Sequence, residues 1–339
     1  MAEGEKTLIK NLCNPYKILS LNFSNLKLHQ DTIFKVHKKP APSKLLNIKT
    51  RTRSIKVTHE HRFFVLEGEE IKEKMAFELK VQDLIASVRR IPSPKKGYEF
   101  SIGNRVGSEL YYIIDENGRS ILKKKRLEKH LRHKDIDRSL NSCMYYQIER
   151  GISMCKMEYL KKICRILDID YIYFVNNYAV QRLRHSNRDV TFPIHSSQEV
   201  YQLLGYLLGD ASVYNKTDNE RILEASDKDI QIMNLYARII KKLFGVDINI
   251  RYISNKNSYK AKISSYVLRF YEDICGEEVF CNSSIRFVPQ FIYRIPKNEL
   301  SSFLRGFFDA EGTVGDHNIS CTSSSKRLIK DIQFLLLRF

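Results

Sequence analysis

The sequence predicts a multidomain α+β protein, and the hydrophobic patterns along its 339 residues support this class. Residues 1–97 hold short alternating segments that predict strands, and residues 98–190 hold the three- and four-residue spacings of amphipathic helices. Residues 196–297 combine both patterns, and residues 298–339 begin to repeat them. The chain is also longer than one ordinary domain. We therefore expect a β-rich domain, a basic helical domain and a repeated mixed region.

Residues 1–97 predict the β-rich domain. Residues 48–52 and 55–58 are rich in β-branched side chains and alternate in polarity, with Arg53 and Ser54 between them, which predicts a hairpin. Residues 63–66 predict a further strand that ends before Gly68.

Residues 54–61, read Ser-Ile-Lys-Val-Thr-His-Glu-His, resemble a block of the Hint domain of inteins and hedgehog-type proteins. The resemblance implies that Thr58 and His61 act on the first splice-site peptide bond. Such a domain starts with a Cys or Ser nucleophile and ends with His-Asn, whereas this chain starts with Met1. We therefore expect a partial Hint domain with a relic splicing block and no splicing. For His61, an ordinary surface or core histidine is the alternative.

Residues 98–190 predict the basic helical domain. A helix near residue 120 carries a run of cations that only Glu128 interrupts: Lys123, Lys124, Lys125, Arg126, Lys129 and Arg132. So one-sided a run, in a chain with formal net charge +18, favours contact with phosphate. A merely solvated helix face is the alternative.

Two further helices follow, over residues 139–151 and 157–170, and Gly151 is expected to cap the first of them. Residues 148–151, Ile-Glu-Arg-Gly, resemble the end of the reading helix in repressor-type helix-turn-helix domains. The resemblance implies that a set of side chains faces DNA: Asn141, Ser142, Tyr145, Tyr146 and Gln147. A three-helix packing module that braces larger domains is the alternative.

Two copies of one pattern organise residues 196–339. Each has a glycine, a small residue four positions later and then an acid: Gly205, Gly209 and Asp210 in the first copy, Gly306, Ala310 and Glu311 in the second. Small residues four apart share a helix face and let two helices approach closely. Such helices end together, so the two acids should meet and attract a divalent cation. A single copy would fit an ordinary core helix, whereas two copies are more specific.

Both copies resemble the LAGLIDADG signature of homing endonucleases. The resemblance implies αββαββα repeats at residues 196–297 and 298–339, the second of them truncated because the chain stops at Phe339. It also implies a monomeric pseudo-dimer with Asp210 and Glu311 as catalytic ligands of Mg²⁺ or another divalent cation. Arg286 occupies a segment in which the family often places a lysine near the cleaved phosphate. Arginine can stabilise charge there but cannot shuttle a proton.

The first repeat predicts a sheet with a basic outer face. Residues 248–253 and 259–263 alternate in polarity, as expected of an antiparallel pair with one buried side. Their outward-facing positions are occupied by Asn249, Arg251, Lys260 and Lys262. A β-ribbon of this kind fits a DNA groove.

Composition agrees with a DNA-binding protein, since the charge of +18 and an isoelectric point near 9.5 favour a polyanionic partner. Seven cysteines without a CxxC pair indicate a reducing compartment, so we expect a cytoplasmic protein associated with the nucleoid through DNA. No apolar run is long enough for a bilayer, so we expect no membrane partner. With double-stranded DNA as the expected partner, we expect no small-molecule substrate.

The sequence therefore predicts a site-specific endonuclease for double-stranded DNA. The alternative is a DNA-binding remnant of an intein endonuclease without cleavage activity. Arg286 and the truncated second repeat favour the remnant, whereas the retention of both acids favours the nuclease.

Overall fold

The computed structural model describes residues 16–22, 25–40, 42, 44–51, 53–94, 106, 110–140, 144–183, 191–217, 220–280 and 282–339, with the backbone alone at 139–140, 215–217 and 220. The chain forms two compact units. The first contains Met1–Pro92 and Leu336–Phe339, and the second contains Ser93–Leu335. Within the described residues, no helix has the length and apolar character needed to cross a membrane.

The first unit is built from small antiparallel sheets. Strands β1 (Tyr16–Asn22) and β2 (Lys27–Ile33) form one hairpin, and β3 (Leu46–Lys49) and β4 (Ser54–Val57) form another. Strand β5 (Arg62–Glu67) lies between β6 (Glu70–Met75) and β7 (Leu84–Ile85). The hairpin predicted between residues 48 and 58 is thus confirmed, because Ile48 pairs with Ile55 in β3–β4.

The second unit begins with a mixed module. Its elements are β8 (Leu110–Ile114), α1 (Glu116–Glu128), α2 (His133–Leu140), α3 (Tyr145–Glu149), β9 (Cys155–Lys156), α4 (Met157–Ile166), α5 (Tyr171–Tyr178) and β10 (Ala179–Leu183). The strands form a sheet in the order β10-β8-β9, with antiparallel neighbours. The prediction of a purely helical domain was therefore incomplete, since an almost wholly buried strand such as β8 shows no alternation that would reveal it.

The remaining elements alternate between helices and strand pairs. They are α6 (Gln198–Asp210), β11 (Ala211–Thr217), β12 (Glu220–Asp227), α7 (Ile230–Phe244), β13 (Ile250–Ile253), β14 (Ser258–Ile263), α8 (Ser265–Cys275), α9 (Lys297–Glu311), β15 (Gly312–Val314), β16 (Ile319–Cys321) and α10 (Lys326–Leu336). Strands β11 to β14 form an antiparallel sheet in the order β11-β12-β14-β13. Strands β15 and β16 pair with each other.

Local signals explain where the helices begin and end. Ser197 caps α6 by accepting a hydrogen bond from the Val200 amide, and the Asp229 carboxylate caps α7 in the same way. Gly245 ends α7 with φ of +67°, a conformation that favours glycine. The helix begins at Ile230, and Asp227 still belongs to β12.

Helices α6 and α9 pack backbone to backbone through their glycines. A Cβ added to Gly205 would lie 2.0 Å from the carbonyl oxygen of Phe303, and one added to Gly306 would lie 1.9 Å from that of Gln202. Only a residue without a side chain fits at either contact. The predicted close approach of the two motif helices is therefore confirmed.

We predict that Gly306→Ala destabilises the protein by at least about 2 kcal/mol, because the new methyl group forces the two helix backbones apart. Chemical denaturation followed by circular dichroism measures this loss. Ser301→Ala, an exposed change on the same helix, is the control and should stay within roughly 0.5 kcal/mol of the unmodified protein. Equal stability of the two variants would contradict the close approach.

Candidate functional site

The acids of the two motifs meet at the ends of α6 and α9. Asp210 is the last residue of α6, and Glu311 is the last residue of α9. A Cβ added to Gly209 would lie 2.4 Å from the Ala310 Cβ and 3.0 Å from the Glu311 Cγ. The last turn of one helix therefore lies directly against the acid of the other.

This location disfavours ionisation of both acids. Burial raises the pKa of Asp210 to about 8, and the negative charges of Asp227 and Glu311 add to the increase. Burial also raises the pKa of Glu311. In both cases the positive charge of Arg286 opposes the shift. The site thus concentrates negative charge in a place where water solvates it poorly.

Asp227 is the residue of this site that sequence reasoning missed. Its side chain accepts a hydrogen bond of 2.8 Å from the Asp229 amide at the end of β12. Its charge has a larger effect on the pKa of Asp210 than that of Glu311. No motif marks this acid, and its position before α7 resembles an ordinary helix start. Only the pairing of β12 with β11 and β14 brings it to the site.

Arg286 holds the end of α6. Its guanidinium is buried and donates hydrogen bonds to the main-chain carbonyls of Leu208, at 2.8 Å, and Gly209, at 3.1 Å, and to that of Ala211. Its own carbonyl accepts a 2.6 Å hydrogen bond from the Ser325 hydroxyl before α10. A cation at a helix C-terminus satisfies carbonyls that have no partner within the helix. Arg286 thus has a structural role besides the one predicted for it.

The acid pair fits a divalent cation. Within the described residues, no three or more His, Cys, Asp or Glu side chains are grouped as a ready metal cage. Two half-buried carboxylates crowded together offer the hard oxygen donors that Mg²⁺ prefers, and a cation would offset the burial of charge that raises the pKa of each. Proteins usually hold Mg²⁺ by one or two carboxylates, with water and substrate phosphate as the other ligands. Asp210 and Glu311 would therefore hold the ion.

The sheet of the first repeat has the alternation predicted for it. Ala261 and Ile263 are buried, whereas Lys262 is exposed between them. Arg251 lies opposite Lys260 in the pairing of β13 with β14, so both are on the outer face. Lys260 is half-buried there and donates a 2.5 Å hydrogen bond to Glu224 of β12. Arg251 and Lys262 are the more exposed members of this face, and Asn249, which is also exposed, comes just before β13.

Two side chains predicted to contact DNA are instead buried in the mixed module. The Arg126 guanidinium binds both carboxylate oxygens of Glu149 at 2.9 Å. Tyr145 is fully buried, and its hydroxyl lies 3.4 Å from the Leu122 carbonyl oxygen. The prediction that Arg126 and Tyr145 contact DNA was wrong, because these side chains lie on the inner faces of α1 and α3. Neither the run of cations in α1 nor the short sequence of α3 shows which face of its helix packs inward.

The other predicted contact residues of this module are differently placed. Lys123, Lys124 and Gln147 are exposed, and the side chain of Tyr146 is 48% exposed. Lys125 forms an ion pair of 2.9 Å with Glu128. The predictions for Asn141 and Ser142 lie outside the described residues.

Thr58 and His61 lie in a turn between β4 and β5. The His61 amide donates to the Thr58 carbonyl at 3.2 Å, and the His61 ring packs edge-on against Phe63 at 5.1 Å. Hydrogen bonds from the amides of Ala76 and Phe77 to the carbonyls of His61 and His59 hold the turn in place. Both predicted side chains remain exposed.

Comparison with known families identifies both parts of the chain. The family model described as the intein splicing domain matches residues 1–200. Because this match covers more than half of the chain, the protein belongs to the intein splicing domain family. The family model described as a LAGLIDADG-like domain matches residues 298–339. Together the two matches confirm the predicted resemblance to an intein-derived LAGLIDADG endonuclease.

Three curated relatives match the chain along almost its whole length. It is 32% identical to the glutamine–fructose-6-phosphate aminotransferase of Methanocaldococcus jannaschii over 95% of the chain and 29% of that protein. It is 26% identical to elongation factor 2 of Methanopyrus kandleri over 99% of the chain and 26% of that protein. It is 23% identical to the DNA-directed RNA polymerase subunit Rpo1C of M. jannaschii over 99% of the chain and 31% of that protein. The chain therefore spans less than a third of each relative. The names of these relatives describe unrelated activities. The similarity therefore lies in one segment of each relative and does not extend to the rest of it.

The buried ion pair of the mixed module predicts a dependence of stability on pH. Burial would raise the pKa of Glu149, but hydrogen bonds and charge from Arg126 and His133 lower it below the usual value of 4.5. The stabilisation from Glu149 is then complete above pH 4.5 and declines as the pH falls through the lower value of the folded state.

We therefore expect Glu149→Gln to lower the free energy of unfolding by about 3 kcal/mol at pH 7, because it leaves Arg126 buried without a charged partner. The deficit should shrink progressively below pH 4.5. Urea denaturation at a series of pH values measures it. Glu128→Gln, which breaks an exposed ion pair on the same module, is the control and should change little at any pH. A deficit that is independent of pH would contradict this explanation.

Proposed function

We propose that this protein is a metal-dependent endonuclease that hydrolyses phosphodiester bonds in both strands of a specific DNA site. The observation that carries the proposal is the meeting of Asp210 and Glu311 at the ends of two helices packed backbone to backbone. The LAGLIDADG-like match at residues 298–339 supports it, because proteins of that family bind double-stranded DNA and generally cleave it with a divalent metal.

The acids of this chain would bind the metal ion of the reaction. Asp210 and Glu311 would hold Mg²⁺ or another divalent cation, and the ionised form of both acids would be favoured once a cation offsets their repulsion. Asp227 adds a third negative charge on the side of Asp210. When bound, the cation supplies Lewis acidity that activates water and stabilises the leaving oxygen. Arg286 stays protonated and keeps the end of α6, and therefore Asp210, in position.

Two surfaces of the chain are proposed to contact DNA. The outer face of the sheet β11-β12-β14-β13, with Arg251 and Lys262, is the first, since a basic ribbon can lie along a groove. The exposed parts of α1 and α3, with Lys123, Lys124 and Gln147, are the second. The succession of the helices α2, α3 and α4 supports the resemblance of this region to a helix-turn-helix. The Asp137 carboxylate of α2 accepts a hydrogen bond of 2.9 Å from the Tyr145 amide at the start of α3 and so joins these two helices.

Thr58 and His61 are proposed as the relic splicing block of the first unit. Membership of the intein splicing domain family and their shared exposed turn support this assignment.

A DNA-binding protein without cleavage activity is the second candidate. One observation favours it: the Arg286 guanidinium is already bonded to three main-chain carbonyls, which draws it away from a role at the cleaved phosphate.

We predict that the chain cuts a randomised duplex library in the presence of Mg²⁺, and that Asp210→Asn and Glu311→Gln each abolish cutting while DNA binding persists. Sequencing of the cut ends measures the activity, and a gel-shift assay measures the binding. Asp316→Asn, an exposed acid on the loop after β15, is the matched control and should cut normally. Binding by all four proteins without any cuts would support the second candidate and contradict the nuclease.

We also predict that Lys123→Gln/Lys124→Gln lowers the slope of log binding constant against log salt by about 2 on duplex DNA, because each lost phosphate contact removes roughly 0.9. Fluorescence anisotropy over a salt series measures the slope. Lys241→Gln/Lys242→Gln removes the same charge from exposed residues of α7 that pair with Asp247 and Glu199, and should leave the slope unchanged. Equal effects of the two double substitutions would show that only net charge matters.

A further inference from the structure

The two motif copies differ at the position two residues before each acid. The first copy has Leu208 there, and its side chain is fully buried. The second copy has Asp309, which is half-buried beside the helix interface. A carboxylate in such a place is costly unless it accepts hydrogen bonds. Asp309 therefore needs a donor that Leu208 does not need.

Tyr236 of α7 provides that donor. Its hydroxyl donates to the Asp309 carboxylate at 2.7 Å. Burial raises the pKa of Tyr236, and the neighbouring charge of Asp309 raises it further, so the proton stays on the tyrosine. The bond therefore has a neutral phenol as donor and a carboxylate as acceptor, which makes it stronger than a bond between neutral groups.

The ring of Tyr236 is itself fixed by α6. It lies parallel to the ring of Tyr206, with 3.7 Å between the ring centroids and 7° between the planes. The Gln202 side-chain amide lies 3.5 Å from the Tyr236 hydroxyl. Tyr206 and Gln202 flank Gly205, one of the two glycines at which α6 and α9 meet. One buried side chain thus joins α7, α6 and the last turn of α9.

We propose that Tyr236 is a positioning residue of the paired-acid site, because its hydrogen bond to Asp309 holds the last turn of α9 and so keeps Glu311 beside Asp210. The inference rests on the proposed function only in taking the two acids as the ligands of a divalent cation. Tyr236 acts through Asp309 and need not touch the ion or the DNA.

The test is the affinity of the protein for Mn²⁺, measured by electron paramagnetic resonance with the full chain and without DNA. Tyr236→Phe should weaken the affinity roughly tenfold, the usual cost of losing a group that orients a metal ligand. Asp309→Ala should weaken it as well, and the double variant should be no weaker than Asp309→Ala alone, because both changes break the same bond. With Mg²⁺ and cleavable DNA, Tyr236→Phe should lower kcat and leave DNA affinity unchanged.

Tyr271→Phe is the matched control. The Tyr271 hydroxyl is also buried and donates at 2.8 Å to the Val200 carbonyl in α6, at the opposite end of that helix from Asp210. Tyr271→Phe should lower the stability of the protein about as much as Tyr236→Phe but leave the Mn²⁺ affinity unchanged. Equal Mn²⁺ affinities of Tyr236→Phe and the unmodified protein would overturn the inference, as would equal losses in Tyr236→Phe and Tyr271→Phe.

The outcome also separates this inference from the proposed function. An unmodified protein that binds Mn²⁺ through Asp210 and Glu311 but cuts no DNA contradicts the nuclease, and the affinity of Tyr236→Phe still decides the positioning role. Cleavage that is equally fast in Tyr236→Phe retains the nuclease and overturns the positioning role. Absence of Mn²⁺ binding that depends on the two acids contradicts both.

Discussion

The structure of the second unit depends on one steric constraint, the contact between the backbones of α6 and α9. Gly205 and Gly306 each face a main-chain carbonyl of the other helix at a distance that leaves no room for a methyl group. Dense packing at this line excludes water and sets the register of the helices. Because the motif spacing is the same in both copies, one register brings both terminal acids together.

This contact also explains the electrostatics of the site. Helix C-termini carry negative partial charge, and here two of them end beside each other with an acid on each. Arg286 and the Tyr236–Asp309 hydrogen bond are two means by which the fold holds these ends in place. Both use side chains from elements outside the helix pair. The acids are thus placed by the helices and supported by their neighbours.

Sequence reasoning predicted the features that local spacing determines. The four-residue spacing of small residues predicted the helix contact, and the alternation around Ala261 predicted which face of the sheet is buried. Features that depend on distant partners were not predictable in this way. Asp227 reaches the site only through strand pairing, and Arg126 turns inward because Glu149, on another helix, is its partner. No periodicity within a single segment encodes such a partner.

The most direct test of the account is a double-mutant cycle of Mn²⁺ affinity on the two acids. We expect Asp210→Asn and Glu311→Gln each to weaken Mn²⁺ binding at least about tenfold. The combined variant should lose far less affinity than the product of the two single losses, because one ion needs both helices. Independent, multiplicative effects, or full affinity in either single variant, would show that the helix pair does not form one shared site.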